Sequence, residues 1–363
     1  MGELILFTPG PVRTPPLVAD YLKSPPCNYH RQDAFSQMLR ETEHDVKTLL
    51  GIRQPDDYIA ALLTATGTGA NEGCMLAFER LGKGLIPYNG WFGSRLADQV
   101  KQNGMNVEIL ELPHDRPMDP AAVAAALDKD PTIKWVFFVS HETRAGMKNP
   151  MEAIGQVCHE RGRMVGADMI SSAYAYPVDL EAAKLDLATA SSAKAIMAAP
   201  GIGIVFVKKA SIAALRGAGK PRGYYLDVVA EAERQAAESQ PRFAQPVVLH
   251  AALRAACIHM KEVGIANHMA RIQRQMAELT AHLGAMGVHP ILDAAYRSNI
   301  AVNYRLPAGH TYKTFAKAME SRGYFCLYGI PGDQTHFQLS TIGDIRDEHI
   351  AGVKRALTEV LAR

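Results

Sequence analysis

The sequence has few of the features that mark membrane, secreted or nucleic-acid-binding proteins. Its five cysteines are odd in number and scattered, without a CxxC pair, which argues against a disulfide framework and a structural zinc site. No apolar run is long enough to span a bilayer, and the first residues lack the pattern of a secretory signal. The net charge of +2 offers no broad basic surface for nucleic acid or anionic lipid. We therefore expect a cytoplasmic protein with neither nucleic acid nor a membrane as partner.

What the chain does contain is the composition of a globular protein, 48% hydrophobic and 21% charged. Its 363 residues favour one large domain with a smaller companion. Apolar runs alternate with helical patterns, which predicts a mainly parallel sheet covered by helices on both faces. Ligands of such sheets bind beyond the carboxyl ends of the strands. The predicted strands include residues 58–65, 84–88, 106–112, 134–140 and 163–168.

Small and hydroxyl-bearing residues follow the first of these strands. Thr66-Gly67-Thr68-Gly69 forms a predicted turn that leads directly into a helical pattern. Backbone amides at a helix N-terminus, with small residues and hydroxyls beside them, make a good phosphate cradle. Turns of this composition are also common between strand and helix without a ligand, so the segment alone leaves both interpretations open. It is neither a GxGxxG nor a Walker A motif, which disfavours dinucleotide and P-loop sites.

Charged and aromatic residues follow other predicted strands. Asp168 ends the strand over 163–168. A buried carboxylate there needs a cation or a strong donor, although Asp more often caps a turn or helix. His141 is a candidate base or metal ligand, but no second histidine lies at ligand spacing, so a metal site is disfavoured. Trp91 and Phe92 stand at a helix start, where aromatics usually belong to the core, although one of them could stack on a planar ring.

Lys194 is the most unusual of the candidate residues. It lies in "SSAKAIMAAPGIG" (191–203), a nearly uncharged turn of small residues between two apolar segments. A lysine, a phosphate cradle, a stacking aromatic and a buried aspartate are together what lysine-bound pyridoxal phosphate requires. The lysine forms the Schiff base, and the aspartate keeps the pyridine nitrogen protonated. Each feature alone is common, but the combination in this order predicts a pyridoxal-phosphate enzyme.

The same segments carry a resemblance to a known family. The chain resembles the class V aminotransferases of pyridoxal-phosphate fold type I. Within them it is most similar to 2-aminoethylphosphonate:pyruvate transaminases, and less so to alanine:glyoxylate transaminases. The resemblance covers nearly the whole chain, through "FTPGPVRTP", "TGTGANE", "NGWFGSR", "SHETRAGMKNP", "VGADMISS", "SSAKAIMAAPGIG" and "STIGDI".

The resemblance also implies roles for individual residues. Lys194 and Asp168 would be the catalytic residues, as the Schiff-base lysine and the partner of the pyridine nitrogen. Gly10 and the position of Gln338 would contact the substrate. The implied cofactor-binding residues are Thr66, Gly67, Thr68, Phe92, Thr143, Asp168, Ser191 and Lys194.

Two departures from the family pattern concern the substrate. Gln338 stands where the family has an arginine that binds the substrate's acidic group, and a neutral amide cannot replace that charge. Ala244 and Gln245 stand where the family's partner subunit offers a hydroxyl to the active site. Both departures leave the cofactor chemistry untouched and put the substrate in question. The candidate replacements for the arginine are Arg13, Arg31, Arg144 and Arg297.

The implied fold is the α/β type I fold of pyridoxal-phosphate-dependent transferases. A mainly parallel seven-stranded large domain over 15–255 would be followed by a smaller α/β domain over 256–363, which the N-terminal segment 1–14 joins in space. A long helix beginning near residue 247 would cross between them. The resemblance also implies a homodimer with shared active sites.

The implied reaction moves an amino group from a small amine to a 2-oxo acid. The most similar relatives use 2-aminoethylphosphonate and pyruvate, giving phosphonoacetaldehyde and alanine. A class V transaminase of different amine specificity, or a pyridoxal-phosphate lyase or decarboxylase, would use the same Lys194 and Asp168. A non-enzymatic binding domain would require Lys194 to be structural.

Overall fold

Strands and helices alternate through most of the chain, whose computed structural model describes residues 4–217, 219, 222–329 and 332–362. The strands are β1 (Ile5–Phe7), β2 (Tyr58–Thr64), β3 (Gly84–Tyr88), β4 (Val107–Glu111), β5 (Trp135–Val139), β6 (His141–Glu142), β7 (Met147–Lys148), β8 (Met164–Asp168), β9 (Leu187–Ser191), β10 (Ile202–Lys208), β11 (Val302–Arg305), β12 (Tyr324–Cys326) and β13 (His336–Leu339). The α-helices are α1 (Pro16–Lys23), α2 (Asp33–Leu50), α3 (Gly67–Glu79), α4 (Trp91–Gln102), α5 (Pro120–Lys129), α6 (Met151–Glu160), α7 (Ile212–Gly217), α8 (Val228–Glu238), α9 (Val247–Val263), α10 (Ile265–Ala285), α11 (Tyr312–Glu320) and α12 (Asp347–Leu361).

Seven of these strands form the central sheet, in the order β2-β10-β9-β8-β5-β3-β4. β10 runs antiparallel to its neighbours β2 and β9, and the other neighbouring pairs are parallel. Antiparallel neighbours can be joined by a short connection, whereas parallel ones need a crossover. The segment between β9 and β10 is therefore a short turn, and it contains Lys194. The predicted mainly parallel α/β sheet is confirmed.

Helices cover both faces of this sheet, and β5 shows how the sequence directs that packing. Trp135 and Phe137 pack into the core beneath α3, α4 and α8, whereas Val136 and Phe138 pack into the core on the opposite face. Phe78 of α3 stacks on Trp135, with ring centroids 5.6 Å apart. Successive strand residues point to opposite faces, so a strand buried on both sides has to be apolar throughout.

A third core lies in the C-terminal part of the chain, among α10, α11, α12 and the pair β11–β13. The N-terminal β1 pairs in parallel with β12 and buries Phe7 in this core. The expected long helix beginning near residue 247 is α9, and α10 follows it after Gly264, which takes a φ of +81°. The predicted domain limits stay a prediction. Within the described ranges, no helix is long and apolar enough to cross a bilayer.

Candidate active site

A cavity of about 180 Å³ lies where β5, β8 and β9 end and α3 begins. Nine of the ten residues singled out from the sequence line it, and Gln338 does not. Those nine come from six separate segments of the chain. They are Gly10, Thr66, Gly67, Thr68, Phe92, Thr143, Asp168, Ser191 and Lys194.

Lys194 is held in the turn between β9 and β10. Ser192 closes this turn, because its Oγ donates to the Ala199 carbonyl at 2.6 Å and accepts from the Ile202 N–H at 3.2 Å. The Lys194 Nζ donates to the carbonyl of Pro9 at 3.0 Å. The following Gly10 has a φ of +133°, and a Cβ there would lie 2.3 Å from Nζ. Only glycine lets the N-terminal segment approach the lysine this closely.

The surroundings of Lys194 make its amine a better nucleophile than a surface lysine. Burial lowers its pKa to about 8; the charge of Asp168 opposes this shift, and Arg95 and Arg144 add to it. An amine with this pKa is partly unprotonated near neutral pH, as covalent catalysis by lysine requires.

Asp168 is fixed by a chain of hydrogen bonds that starts inside the sheet. Its Oδ2 accepts from Asn71 Nδ2 at 2.7 Å, and its Oδ1 accepts from the Ile170 N–H at 2.8 Å. Asn71 in turn accepts from Thr189 Oγ1 at 2.6 Å. Burial raises the pKa of Asp168, whereas these bonds and the Lys194 charge oppose the increase. Asn71 was not singled out from the sequence, and its place in "TGTGANE" was the available signal.

The first turn of α3 supplies backbone donors at one end of the cavity. The helix begins at Gly67, inside the predicted turn, and no side chain caps it. The N–H groups of a first helical turn have no partner within the helix, so they are available to an anion. A Cβ at Gly67 would lie 2.4 Å from Ile170 Cδ1. The glycine therefore keeps the helix start close to the Asp168 segment.

Phe92 is positioned by Glu142, which sequence reasoning did not single out. The Glu142 carboxylate lies at the N-terminus of α4 and accepts from the N–H groups of Phe92 at 3.0 Å and Gly93 at 2.7 Å. Burial raises the pKa of Glu142 to about 7, although the two N–H bonds oppose this increase. Phe92 lines the cavity, whereas its neighbour Trp91 is exposed.

Comparison with known proteins assigns the chain that forms this cavity to a family. The sequence model described as "Aminotransferase class-V" matches residues 23–323. The chain belongs to the class-V aminotransferase family. Pyridoxal phosphate is therefore the cofactor of this aminotransferase.

Related sequences and structures cover nearly all of the aminotransferase chain. It is 29% identical over 357 residues to the 2-aminoethylphosphonate--pyruvate transaminases of Burkholderia thailandensis and Burkholderia pseudomallei, covering 97% of this chain and 95% of theirs. The structure of a Thermus thermophilus aspartate aminotransferase of subgroup IV matches with a TM-score of 0.85 and 27% identity, over 98% of this chain and 99% of that one. An alanine--glyoxylate aminotransferase from Nostoc sp. matches with a TM-score of 0.89 at 24% identity, over 99% and 96% of the two chains, and shows the shared fold.

The residues on the cavity wall of the aminotransferase fit pyridoxal phosphate. Lys194 offers a primary amine of lowered pKa, and Asp168 offers a buried, fixed carboxylate. The uncapped start of α3 suits a phosphate group, and Phe92 adds an aromatic ring. A Cβ at Gly10 would fill the space around the Lys194 amine, which explains why this part of the wall is bare backbone.

In this aminotransferase, Gln338 supports the cavity wall from behind. It is buried in β13 opposite Asn303 of β11, and its Nε2 donates to the carbonyl of Thr143 at 2.7 Å. Asn303 Nδ2 donates to the next carbonyl, that of Arg144, at 2.5 Å. The two amides therefore hold the turn that carries Thr143, and the expected substrate contact of Gln338 stays a prediction.

His141 lies on the wall but is held by hydrogen bonds on both sides. Its Nδ1 pairs with Ser171 Oγ and its Nε2 with Ser298 Oγ, each at 2.8 Å. Burial lowers the pKa of His141 to about 3, so the ring is neutral. No group of three metal-ligating side chains occurs in the part of the chain that the structure describes.

The four arginines considered as replacements for the family's arginine lie off the cavity wall. Arg13 pairs with Asp344 at 2.6 Å, and Arg31 donates to the Pro241 carbonyl at 2.9 Å. Arg144 stacks on the ring of Tyr328 and donates to its carbonyl at 3.1 Å. Arg297 is half-buried, and its main chain bridges to Met147.

The segment containing Ala244 and Gln245 is anchored within its own chain. The Gln245 Oε1 hydrogen-bonds with Thr64 Oγ1 and with His250 Nε2, the latter at 3.0 Å. Neither Ala244 nor Gln245 lines the cavity of this chain.

Proposed function

We propose that this aminotransferase transfers the amino group of 2-aminoethylphosphonate to pyruvate, giving phosphonoacetaldehyde and alanine. The observation that carries an amino-transfer reaction is the single cavity shared by the Lys194 amine and the Asp168 carboxylate. The specific substrates are supported by the 29% identity over 357 residues with relatives named for that activity.

The residues of the chain divide the chemistry among them. Pyridoxal phosphate, when bound, supplies an electron-withdrawing ring that stabilises negative charge on the substrate carbon. Asp168 would hold a proton on the ring nitrogen, and the first turn of α3 would bind the phosphate. Lys194 would accept the proton of the amine-bearing carbon at its Nζ and pass it to the cofactor rather than back to that carbon, which suits a group whose pKa is about 8.

The experiment that tests the proposal is a half-reaction screen. The protein is loaded with pyridoxal phosphate and mixed separately with 2-aminoethylphosphonate, alanine and 2-aminoethanesulfonate. Loss of the absorption band of the bound cofactor is followed, together with the amount of aminated cofactor formed. Conversion by both 2-aminoethylphosphonate and alanine, but not in Lys194→Ala, is the expected result.

Other outcomes of the screen would change the proposal in defined ways. If alanine converts the bound cofactor and 2-aminoethylphosphonate does not, the proposed donor is contradicted. The protein would then be a class V transaminase of different specificity. Loss of substrate without a matching amount of aminated cofactor would indicate a lyase or decarboxylase.

We also propose that the protein is a cytoplasmic homodimer with its active sites at the subunit interface. Exposed aromatic residues near the cavity support this assembly. Trp91 is 46% exposed beside Phe92, and Tyr225 is also 46% exposed while its hydroxyl donates to the Thr64 carbonyl at 3.2 Å. Light scattering that gave the mass of a single chain at micromolar concentration would contradict the dimer.

A further inference from the structure

Two arginines influence the charge state of Lys194, and they differ in how far they are already engaged. Arg144 donates to the carbonyls of Tyr328 and Gly329 at 3.1 and 3.2 Å, and its guanidinium lies 4.5 Å from the Tyr328 ring centroid. It does not line the cavity. Arg144 therefore serves to attach the segment around Tyr328, and both of its terminal nitrogens donate to that segment.

Arg95 is in the opposite situation. It lines the cavity, its side chain is exposed, and its guanidinium lies 5.0 Å from the Phe92 ring centroid. Within the described ranges it forms neither an ion pair nor a side-chain hydrogen bond. Arginine presents five N–H donors in a planar fork that matches carboxylate, phosphate and phosphonate groups. A guanidinium with free donors on a cavity wall is suited to bind an oxyanion.

The carboxylates near Arg95 are engaged elsewhere. The positive charge of Arg95 opposes the rise in the pKa of both Asp168 and Glu142, so both lie within its electrostatic reach. Asp168 accepts from Asn71 and from the Ile170 N–H, and Glu142 accepts from two N–H groups of α4. The guanidinium is therefore attracted toward the cavity without being neutralised by a direct partner.

The position of Arg95 on α4 also directs it to this cavity. Residues three and four apart share one face of a helix, so Phe92, Arg95 and Gln99 lie in a row. Phe92 lines the cavity, and Gln99 Nε2 donates to the carbonyl of Thr68 at 3.0 Å. Arg95 thus stands between the aromatic ring and the first turn of α3.

We propose that Arg95 is an oxyanion-binding residue of this cavity. Its ligand is a phosphate, phosphonate or carboxylate group, which comes either from the acidic end of the substrate or from the cofactor. The substrate alternative rests on the function proposed above, whereas the cofactor alternative rests only on the family. This residue was not among the arginines singled out from the sequence.

Three variants test the proposal. Arg95→Gln removes the charge, and Arg95→Lys keeps it without the planar fork. Lys101→Gln removes an exposed charge at the far end of the same helix and is the matched control. Equal thermal unfolding midpoints in all variants establish that the fold is intact.

The first arm measures cofactor binding without any reaction. The cofactor-free protein is titrated with pyridoxal phosphate and, separately, with pyridoxal, which has no phosphate. If Arg95 binds the cofactor's phosphate, Arg95→Gln raises the Kd for pyridoxal phosphate by about tenfold or more and leaves pyridoxal unchanged.

The second arm measures substrate binding at saturating cofactor. If Arg95 binds the substrate's acidic group, Arg95→Gln raises the half-saturating concentration of 2-aminoethylphosphonate or alanine by about tenfold or more, with a similar limiting rate. Ethylamine and alaninamide, which lack an acidic group, are then unaffected, and Arg95→Lys recovers part of the loss.

The proposal is overturned if Arg95→Gln behaves like Lys101→Gln in both arms. A failure of the proposed function gives a different pattern. In that case the wild-type protein does not convert 2-aminoethylphosphonate, while the cofactor arm and alanine still report on Arg95.

Discussion

At the scale of single residues, the properties of Lys194 come from its neighbours. Burial lowers its pKa, the Asp168 charge raises it, and the Pro9 carbonyl accepts a hydrogen bond from its amine. Gly10 keeps the space around the amine free of side-chain atoms. Each of these neighbours lies far from Lys194 in the sequence. A substitution of one of them therefore alters the surroundings of the amine without altering Lys194 itself.

Capture of pyridoxal phosphate by the cofactor-free protein should depend on pH with a midpoint near 8, since only the unprotonated Lys194 amine reacts. Asp168→Asn removes the negative charge that raises this pKa, so the midpoint should move to lower pH. The measurement is the rate of appearance of the cofactor absorption band between pH 6 and pH 10, a range of roughly two units on either side of that pKa.

The matched control for this pH experiment is Asp128→Asn, because Asp128 forms a surface ion pair with Arg161. This variant should keep the wild-type midpoint. A wild-type midpoint near 10.5, the ordinary value for lysine, would contradict the effect of burial on the Lys194 amine. An upward shift in Asp168→Asn would contradict the sign of the interaction.

At the scale of elements, α4 depends on a carboxylate that belongs to another element. The helix begins at Trp91 after Gly90, which has no side chain to cap it. Glu142 of β6 supplies the acceptors instead, and the negative charge also interacts favourably with the helix N-terminus. One side chain thus stabilises a helix and fixes Phe92 on the cavity wall.

Glu142→Ala should lower the free energy of unfolding by about 1–3 kcal/mol, because a buried and a partly buried N–H group lose their acceptor. It should also weaken cofactor binding, since Phe92 is no longer held in place. Chemical denaturation and titration with pyridoxal phosphate measure the two effects.

Asp119→Ala is the matched control for the cap of α4. Asp119 caps α5 by accepting from the Ala121 N–H, and its loss should cost about 1 kcal/mol while leaving cofactor binding unchanged. Equal cofactor affinities of Glu142→Ala and the wild type would contradict the positioning role.

The pKa of Glu142 also has a consequence for stability. Because it rises from 4.5 to about 7 on folding, the folded protein holds this proton more tightly than the unfolded chain. The contribution of Glu142 to stability therefore decreases as the pH rises through that interval. Glu142→Gln, which cannot titrate, should show a smaller decrease.

At the scale of the whole molecule, the cavity wall combines strand ends of the central sheet with segments that are anchored in the third core. β1 is held in the third core beside β12, and the chain then passes directly to Pro9 and Gly10 at the cavity. From the same C-terminal part, Gln338 and Asn303 hold the turn that carries Thr143. Packing in the C-terminal core is therefore coupled to the shape of the site.

Comparing Phe7→Ala with Phe315→Ala distinguishes an effect of core packing on the site from a general loss of stability. Both phenylalanines are buried in the third core, so each change should cost about 3–5 kcal/mol. Phe7 is close in sequence to Pro9 and Gly10, whereas Phe315 lies on α11, away from the cavity. Phe7→Ala should therefore raise the Kd for pyridoxal phosphate more than Phe315→Ala does, measured where both variants remain folded. Equal effects of the two changes on this Kd would contradict the coupling.

Local patterns in the sequence determined the strands and helices closely. The predicted strand over 84–88 is β3, and the strand over 58–65 exceeds β2 by one residue. Strands buried on both faces must be apolar throughout, and such runs are visible without any knowledge of the fold. The same logic brought the motif residues together, because the carboxyl ends of parallel strands meet at one edge of a sheet.

The tertiary structure alone decided what surrounds those residues. Asn71, Arg95 and Glu142 were not singled out, because each acts through partners distant along the chain. The sequence shows that Gln338 stands where the family has a positively charged arginine. Its contact with Thr143, however, depends on how β13 packs against the turn after β5. Periodicity and composition report on neighbours within a few residues. Long-range packing decides which polar groups meet in a cavity, and such packing leaves no local pattern in the sequence.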